Sequence, residues 1–374
     1  MANNIVEYSD IMAFHPGYYV AEIVDDMGIT QEEFATRLGT TPKTLSKLIN
    51  GQINLSNDIA KKLSSMLGSS VNFWLNLQKA YEEKIIEIEQ KRDLEEQAEI
   101  ARMIDYSYFE KVADLPSAHS IYEKVTNLCR YFIISNLKIL QQPDFLVNYR
   151  SGTKTTNDKN IVNAQAWLQT SLNYAQNIAT APYDSDKLKS YLPEIRSMTL
   201  QEPNEFLPRL SAIFSECGIA FVFLPHLKNS GINGAVKWIS KQRVVLAMND
   251  RRNYADTFWF SLFHEIKHVL QQKINTVFIS STSEEKQNMN AKFEAEADEF
   301  SRNCLIPAKD FKNFVAPDKY ISDAEIVAFA KSIGINPGIV VGRLQYEGII
   351  PQYRCSALKK KYNSKDFEQF ILNL

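Results

Sequence analysis

The sequence predicts a mainly α-helical chain with a small β-sheet, an α+β protein of more than one domain. Three observations carry that expectation. Residues 16 to 78 hold short apolar-periodic runs separated by helix start and stop signals. The stretches "GIAFVFLPHL", "GAVKWIS" and "QRVVLAMN" are β-branched and aromatic runs divided by Gly, Asn and Lys, the pattern of short strands and hairpins. Helical periodicity fills most of the remainder. At 374 residues the chain exceeds one ordinary core. The changes of pattern divide it into 1–78, a helical connector and middle region over 79–205, and a third part over 206–374 with a helical C-terminal extension.

Composition narrows the class. With 45% hydrophobic residues, 23% charged residues and a formal net charge of -2, the chain reads as globular, and no apolar run approaches membrane-spanning length. No membrane partner is expected. The start, "MANNIVEYSDIMAFHPG", has neither a basic n-region nor an apolar h-region, so the expected location is the cytoplasm. Cys129, Cys217, Cys304 and Cys355 are scattered without a CxxC pair and read as core thiols, so a metal would be held by His and carboxylate.

The first informative element is "ITQEEFATRLGTTPKTLSKLINGQ", residues 29 to 52. Phe34, Ala35 and Leu38 would line the inner face of one helix, and Gly39 marks a tight turn. Thr41 is a suitable N-cap with Pro42 at the first helical position, and Leu45, Leu48 and Ile49 give the next helix its buried stripe. Two short helices joined by such a turn form a helix-turn-helix. The second helix would offer Thr41, Pro42, Lys43, Thr44, Ser46 and Lys47 near its N-terminal end, where base edges of a major groove come within reach. Gln31, at the start of the preceding helix, would touch a phosphate or orient a neighbour. Residues 36 to 62 carry five basic residues against Asp58 alone, which suits phosphate contacts. A helical bundle with a solvated basic face is the alternative reading. The expected partner is a palindromic double-stranded DNA operator bound by a homodimer.

The stretch from His15 to Gln78 resembles the XRE family of repressors, and along its whole length it is similar to HigA-like antitoxins. Residues 78 to 104 follow, dense in alternating charge with Tyr81, Ile85 and Ile88 at helical spacing. That pattern suits an exposed connecting helix, part of it available to a dimer seam. Residues 105 to 215 keep helical periodicity, as in Ile161, Ala164, Trp167, Leu168 and Leu172, and show no catalytic constellation.

The strand-like runs lead into "FSLFHEIKHVL", residues 260 to 270. Histidines at i and i+4 project from one helical face, so His264 and His268 can hold one metal ion, with Glu265 placed to take a proton from an attacking water. A catalytic zinc needs a third protein ligand and an open position. "AKFEAEADEFSRNCLIP" supplies Glu294 and Asp298, again i and i+4; one can bind metal while the other hydrogen-bonds the far nitrogen of a ligand histidine. Glu296 points about 200° away from Glu294 and is the weaker candidate. His226, after the strand "IAFVFLP", is a candidate for oxyanion stabilisation. His15 and His119 read as surface residues. "SDAEIVAFAKSIGINPGIVVGRLQ" repeats helix-turn-helix logic with few base-reading residues and is expected to pack, with Ser322 as N-cap and Gly334 as stop.

"NGAVKWISKQRVVLAMNDRRNYADTFWFSLFHEIKHVL" followed by "EAEADEFSRNCLIP" looks like the ImmA/IrrE metallopeptidases, a gluzincin-like group whose members cleave repressor proteins. The resemblance covers about residues 205 to 310 and implies a zincin-like fold. It also implies a Zn2+ ion held by His264, His268 and Glu294, Glu265 as the catalytic base, and Asp298 in support. The chain departs from the family pattern at Lys267, where Gly is usual, and at Ser301, where Ala is usual; a lysine beside the site would alter substrate access. The expected protein is a DNA-binding transcriptional regulator with a zinc-dependent endopeptidase domain that hydrolyses a repressor or itself, with residues 78 to 110 as the place for self-cleavage. The substrate would pair along "QRVVLAMN". The alternative is an antitoxin or repressor, with a toxin as one partner, whose peptidase-like domain senses or binds without cutting.

Overall fold

Within Ile5–Phe14, side chains alternate between a covered and an open face, and the segment folds back on itself. Ile5–Tyr8 (β1) pairs antiparallel with Ile11–Phe14 (β2), Ile5 opposite Phe14 and Tyr8 opposite Ile11. The computed structural model describes residues 4–142, 158–251, 254–271, 283–315, 321–362 and 367, with side chains described only from Lys292 onward in the helix that starts at Ser283. The chain divides into two units, Met1–Glu99 and Ile100–Leu374.

In the first unit the hairpin is followed by α1 (Pro16–Asp26), α2 (Gln31–Leu38), α3 (Pro42–Ile49), α4 (Asn57–Leu67) and the start of α5 (Val71–Met103). Each short helix begins on a side-chain cap. Thr30 accepts from the N–H of Glu33, Thr41 from that of Thr44, and Ser56 from that of Ile59, which satisfies amides that the first turn leaves open. Gly39 ends α2 in the left-handed region at φ 67°, so the chain reverses without a Cβ clash. Phe34, Ala35 and Leu38 of α2 meet Leu45, Leu48 and Ile49 of α3 in one core closed by Trp74.

Two expectations change here. His15 is buried, 1% exposed, and is the N-cap of α1, its Nδ1 accepting from the Gly17 N–H at 3.0 Å. The following Pro16 fixes the helix start, and the cap draws the ring inward rather than leaving it at the surface. The charged stretch after Gln78 is the continuation of α5, and its stripe of Tyr81, Ile85 and Ile88 packs against Val6, Tyr8, Ile11 and Ala13 of the hairpin. The apolar stripe read as a dimer seam is therefore covered within the chain.

The second unit continues with α6 (Tyr106–Val112), α7 (Ile121–Phe132), α8 (Asp158–Ala175), α9 (Ser185–Ser197) and α10 (Pro203–Glu216). A three-stranded sheet follows, of β3 (Ile219–Leu224), β4 (Gly234–Ser240) and β5 (Arg243–Asn249), ordered β3-β5-β4. β3 is apolar throughout and every residue in it is buried, as a strand covered on both faces should be. β5 lies in the middle, parallel to β3 and antiparallel to β4. "QRVVLAMN" thus has both of its edges paired, and a substrate cannot add to it.

The sheet is covered by α11 (Ala255–Leu270), against which α12 (Ser283–Leu305) and α15 (Pro337–Tyr346) pack; α13 (Ala308–Phe314) follows α12, and α14 (Asp323–Ile333) packs on α15. Phe258, Trp259, Leu262, Phe263, Ile266 and Val269 of α11 enter the main core. The C-terminal helices are packing elements, as expected: Ile326, Ala330, Val340, Val341 and Leu344 join that core. Beyond them the chain returns to the start of α11, where the Ala255 N–H donates to the Lys360 carbonyl at 2.9 Å and Trp259 Nε1 donates to the Tyr362 hydroxyl at 2.8 Å. Among the described residues, no single helix is long and apolar enough to cross a membrane.

Candidate metal centre

α11 and α12 pack together, and the polar residues of their shared face converge. His264 lies 7% exposed on a helix that sends Phe258, Trp259, Leu262, Phe263 and Ile266 into the core, a setting that demands polar partners. They come from α12. His264 Nδ1 is 2.9 Å from Asp298 Oδ1, and His264 Nε2 is 3.2 Å from Glu294 Oε2. His268 Nε2 is 3.3 Å from Glu294 Oε1 and 3.0 Å from His264 Nε2. One ligand atom from each of His264, His268 and Glu294 can be chosen so that all lie within 4.8 Å of one another.

A residue absent from the sequence reading completes the arrangement. Gln271 accepts at Oε1 from His268 Nδ1, 2.9 Å away, and its Nε2 donates to the Phe293 carbonyl at 3.1 Å and to Glu296 Oε2 at 3.3 Å. The two donor contacts fix the amide orientation. Asp298 and Gln271 are both acceptors toward an Nδ1, so the tautomer assigned to each ring from these partners carries its proton there. Both Nε2 lone pairs then face one another and the Glu294 carboxylate. Three electron-rich atoms repel unless a cation or proton lies among them, and two imidazoles with one carboxylate suit a divalent metal such as zinc. The donor set fits the ion.

Protonation follows the same geometry. Burial opposes a charge on His264, but hydrogen bonds that its charged ring donates to Asp298 and Glu294 outweigh it and raise its pKa to about 9. Burial would also raise that of Glu294, but its contacts with His264 and His268 hold it well below the usual carboxylate range. Burial dominates at Glu265 and pushes its carboxyl up, against the pull of the two histidines. A carboxylate whose pKa is raised is a better proton acceptor. It has a narrow place to stand: a Cβ added at Gly234 of β4 would lie 2.9 Å from Glu265 Cγ and 2.7 Å from Met248 Sδ.

Glu265 and His264 border a cavity of about 420 Å3. His226 does not line it; exposed after β3, it sits with Nδ1 3.3 Å from Asp250 Oδ1, while its N–H donates to the same oxygen at 2.8 Å. Lys267 also stays outside, its ammonium 5.6 Å from the Phe300 ring, so it does not narrow the cavity. His119 is exposed. Glu296 reaches Gln271, and stands outside the ligand cluster.

In the first unit, Gln31, Thr41, Pro42, Lys43 and Lys47 are exposed and Thr44 and Ser46 partly so. Thr41 is engaged as a cap, its Oγ1 accepting from the Thr44 N–H at 3.1 Å and lying 2.8 Å from Thr44 Oγ1. Of the basic residues, Lys62 is tied to Asp58 and donates to the Gly39 carbonyl at 2.9 Å, and Arg37 pairs with Glu33. Neither Lys43 nor Lys47 has an ion-pair partner among the described residues.

The fold goes with a class, a regulator with a helix-turn-helix domain joined to a peptidase-type domain. Residues 20–74 match the helix-turn-helix family, and residues 218–344 match the peptidase family described as the IrrE N-terminal-like domain. The uncharacterised HTH-type transcriptional regulator YddM of Escherichia coli K12 is 37% identical over 89 residues, which are 95% of that protein and 22% of this chain. Antitoxin HigA-1 of Vibrio cholerae serotype O1 is 42% identical over 59 residues, 55% of its length and 16% of this chain. Virulence-associated protein A′ of Dichelobacter nodosus is 39% identical over 69 residues, 60% of its length and 18% of this chain. The chain belongs to the helix-turn-helix transcriptional regulators and carries an IrrE N-terminal-like peptidase domain in its second unit.

Proposed function

We propose that this regulator binds an operator through its first unit and, through its second, acts as a zinc-dependent endopeptidase on a regulatory protein. The carrying observation is the clustering of His264, His268 and Glu294, with His264 and the adjacent Glu265 lining one cavity. The three would hold zinc, with Asp298 and Gln271 orienting the histidines. When bound, zinc supplies Lewis-acid polarisation of the scissile carbonyl and of the attacking water. Glu265 accepts the proton of that water and passes it to the leaving amine. β4 is an edge strand among the described residues, and its Gly234 lies against Glu265, so an extended substrate segment can pair along β4. At the DNA, Lys43 and Lys47 contact phosphates and Gln31, Thr44 and Ser46 make polar contacts near the groove, with Thr41 and Pro42 fixing the start of α3. One module of this size has a small footprint, which favours a homodimer on a palindrome.

A second reading is favoured by the relative named an antitoxin: the second unit binds a toxin or senses a signal without cutting. Glu265→Gln separates the two. It keeps the side chain's shape without a basic oxygen of equal strength, so about one zinc per chain and operator binding persist while cleavage of candidate repressors falls about 10²- to 10⁴-fold. His264→Ala and Glu294→Ala lose the metal and Glu296→Ala keeps it. If zinc-loaded wild type leaves every candidate repressor as intact as Glu265→Gln does, the sensor reading stands.

A further inference from the structure

Three acids and three bases line the cavity beside Glu265, so it has no net sign of its own, and the pairing among them decides what it can recognise. Asp256 and Lys359 hold one another, Oδ2 to Nζ at 2.6 Å. Arg343 Nε donates to Glu347 Oε1 at 2.9 Å, and Asp298 Oδ1 is 2.9 Å from His264 Nδ1. Glu265 is the proposed base. Arg302 is left: it has no ion-pair partner among the described residues, and its guanidinium carbon lies 5.8 Å from the centroid of the Tyr346 ring. This part of the lining is open to solvent. Tyr346 is 67% exposed, Gln352 is exposed, and Arg302 and Phe260 are partly so.

A guanidinium backed by a ring and reachable from water is suited to a carboxylate, which it can take in two parallel hydrogen bonds. On α12, Arg302 follows Glu294 by about 12 Å of helix, the span of about three to four residues of extended chain. We propose that Arg302, with Tyr346 behind it, is a specificity residue that receives a glutamate or aspartate side chain about three to four residues from the scissile bond. Tyr346 and Gln352 lie beyond residue 344, where the match to the IrrE N-terminal-like domain ends, so part of this subsite comes from the C-terminal segment. Residues 100–374 together carry 33 Lys and Arg against 28 Asp and Glu, which suits an acidic segment over a basic one. The distance to the scissile bond rests on the peptidase reading; the recognition of a carboxylate is a binding property.

The test uses the full-length Glu265→Gln chain loaded with zinc and titrated, by NMR observed on the ligand, with N-acetylated and amidated alanine peptides that carry a central glutamate, glutamine or lysine. At about 50 mM salt the glutamate peptide binds about 5-fold tighter than the glutamine peptide and the lysine peptide binds weakest; the margin shrinks at about 500 mM, as a partly exposed ion pair requires. Adding Arg302→Gln removes the margin and leaves glutamine peptide binding within about 2-fold, whereas a glutamate held by zinc would keep its advantage. Adding Arg302→Glu instead reverses the ranking in favour of lysine. Both substitutions keep the zinc, since Arg302 stands outside the ligand cluster. The proposal is overturned if glutamate and glutamine peptides bind alike, if none saturates, if the lysine peptide binds best to the intact cavity, or if the glutamate margin survives Arg302→Gln. If the peptides rank as expected while wild type hydrolyses no glutamate-containing peptide, the peptidase reading fails and the carboxylate subsite remains.

Discussion

His15 joins a cap to a titration. Its Nδ1 must stay unprotonated to accept from Gly17, its ring is buried edge-on against Tyr81 with centroids 4.9 Å apart, and burial lowers its pKa below the ordinary value. With a folded-state value below the unfolded one, the unfolded chain takes up the proton first. Stability from this residue is complete above about pH 6.5 and is lost as pH falls through and below that value. Urea midpoints between pH 8 and pH 5 should show this decline, and His15→Asn, which keeps a capping acceptor, should flatten it; an unchanged slope would remove His15 as the cause. His15→Ala should cost about 1 kcal/mol at pH 8 from the cap alone. The sequence showed His15 before a proline, and only the fold shows that the ring turns inward. At the candidate centre, residue-level reading went further. The i and i+4 spacings place His264 with His268 and Glu294 with Asp298 on common faces; Gln271, three residues after His268, shares that face by the same rule, but only the packing against α12 shows that its amide holds the ring.

At the scale of elements, α3 and β4 carry the sharpest expectations. Lys43→Ala with Lys47→Ala should weaken operator binding and reduce the slope of log affinity against log salt by about 2, measured by fluorescence anisotropy from 50 to 200 mM salt. Binding indistinguishable from wild type would take α3 off the DNA. Gly234→Ala should crowd Glu265 and Met248, at about 1–3 kcal/mol in stability. The proposed base would shift with it, and cleavage should fall by up to about 100-fold with zinc content unchanged; metal analysis beside a peptidase assay checks both. Helices and strands were legible because their periodicity is local. Sheet order was not, because "QRVVLAMN" and "GAVKWIS" are equally strand-like and only pairing decides which of them is the edge.

At the scale of the whole molecule, the two matched domains are recognisable in the sequence, and so is the helix that follows the first of them. Charge alternation over residues 78 to 104 suits a connecting helix, and α5 runs unbroken from Val71 to Met103 with its backbone hydrogen bonds inside the helix. A peptidase that binds extended backbone finds no ready substrate there. The zinc-loaded protein, incubated alone and followed by mass spectrometry, should yield no cut between residues 78 and 103; a time-dependent cut there that Glu265→Gln abolishes would reverse that expectation. The N-terminal hairpin carries a different consequence, for the order in which the chain is made. β1 and β2 leave the ribosome long before Ile88, the residue of α5 that covers them, and a two-stranded ribbon is marginally stable alone. A nascent chain halted near Gln78 would hold its helix-turn-helix while its first strands still showed an uncovered apolar face. The earliest residues to be synthesised in this unit are therefore among the last to be sealed, and a DNA-binding fragment meant to live on its own should end beyond Glu95, where Tyr8 finds its hydrogen-bond partner.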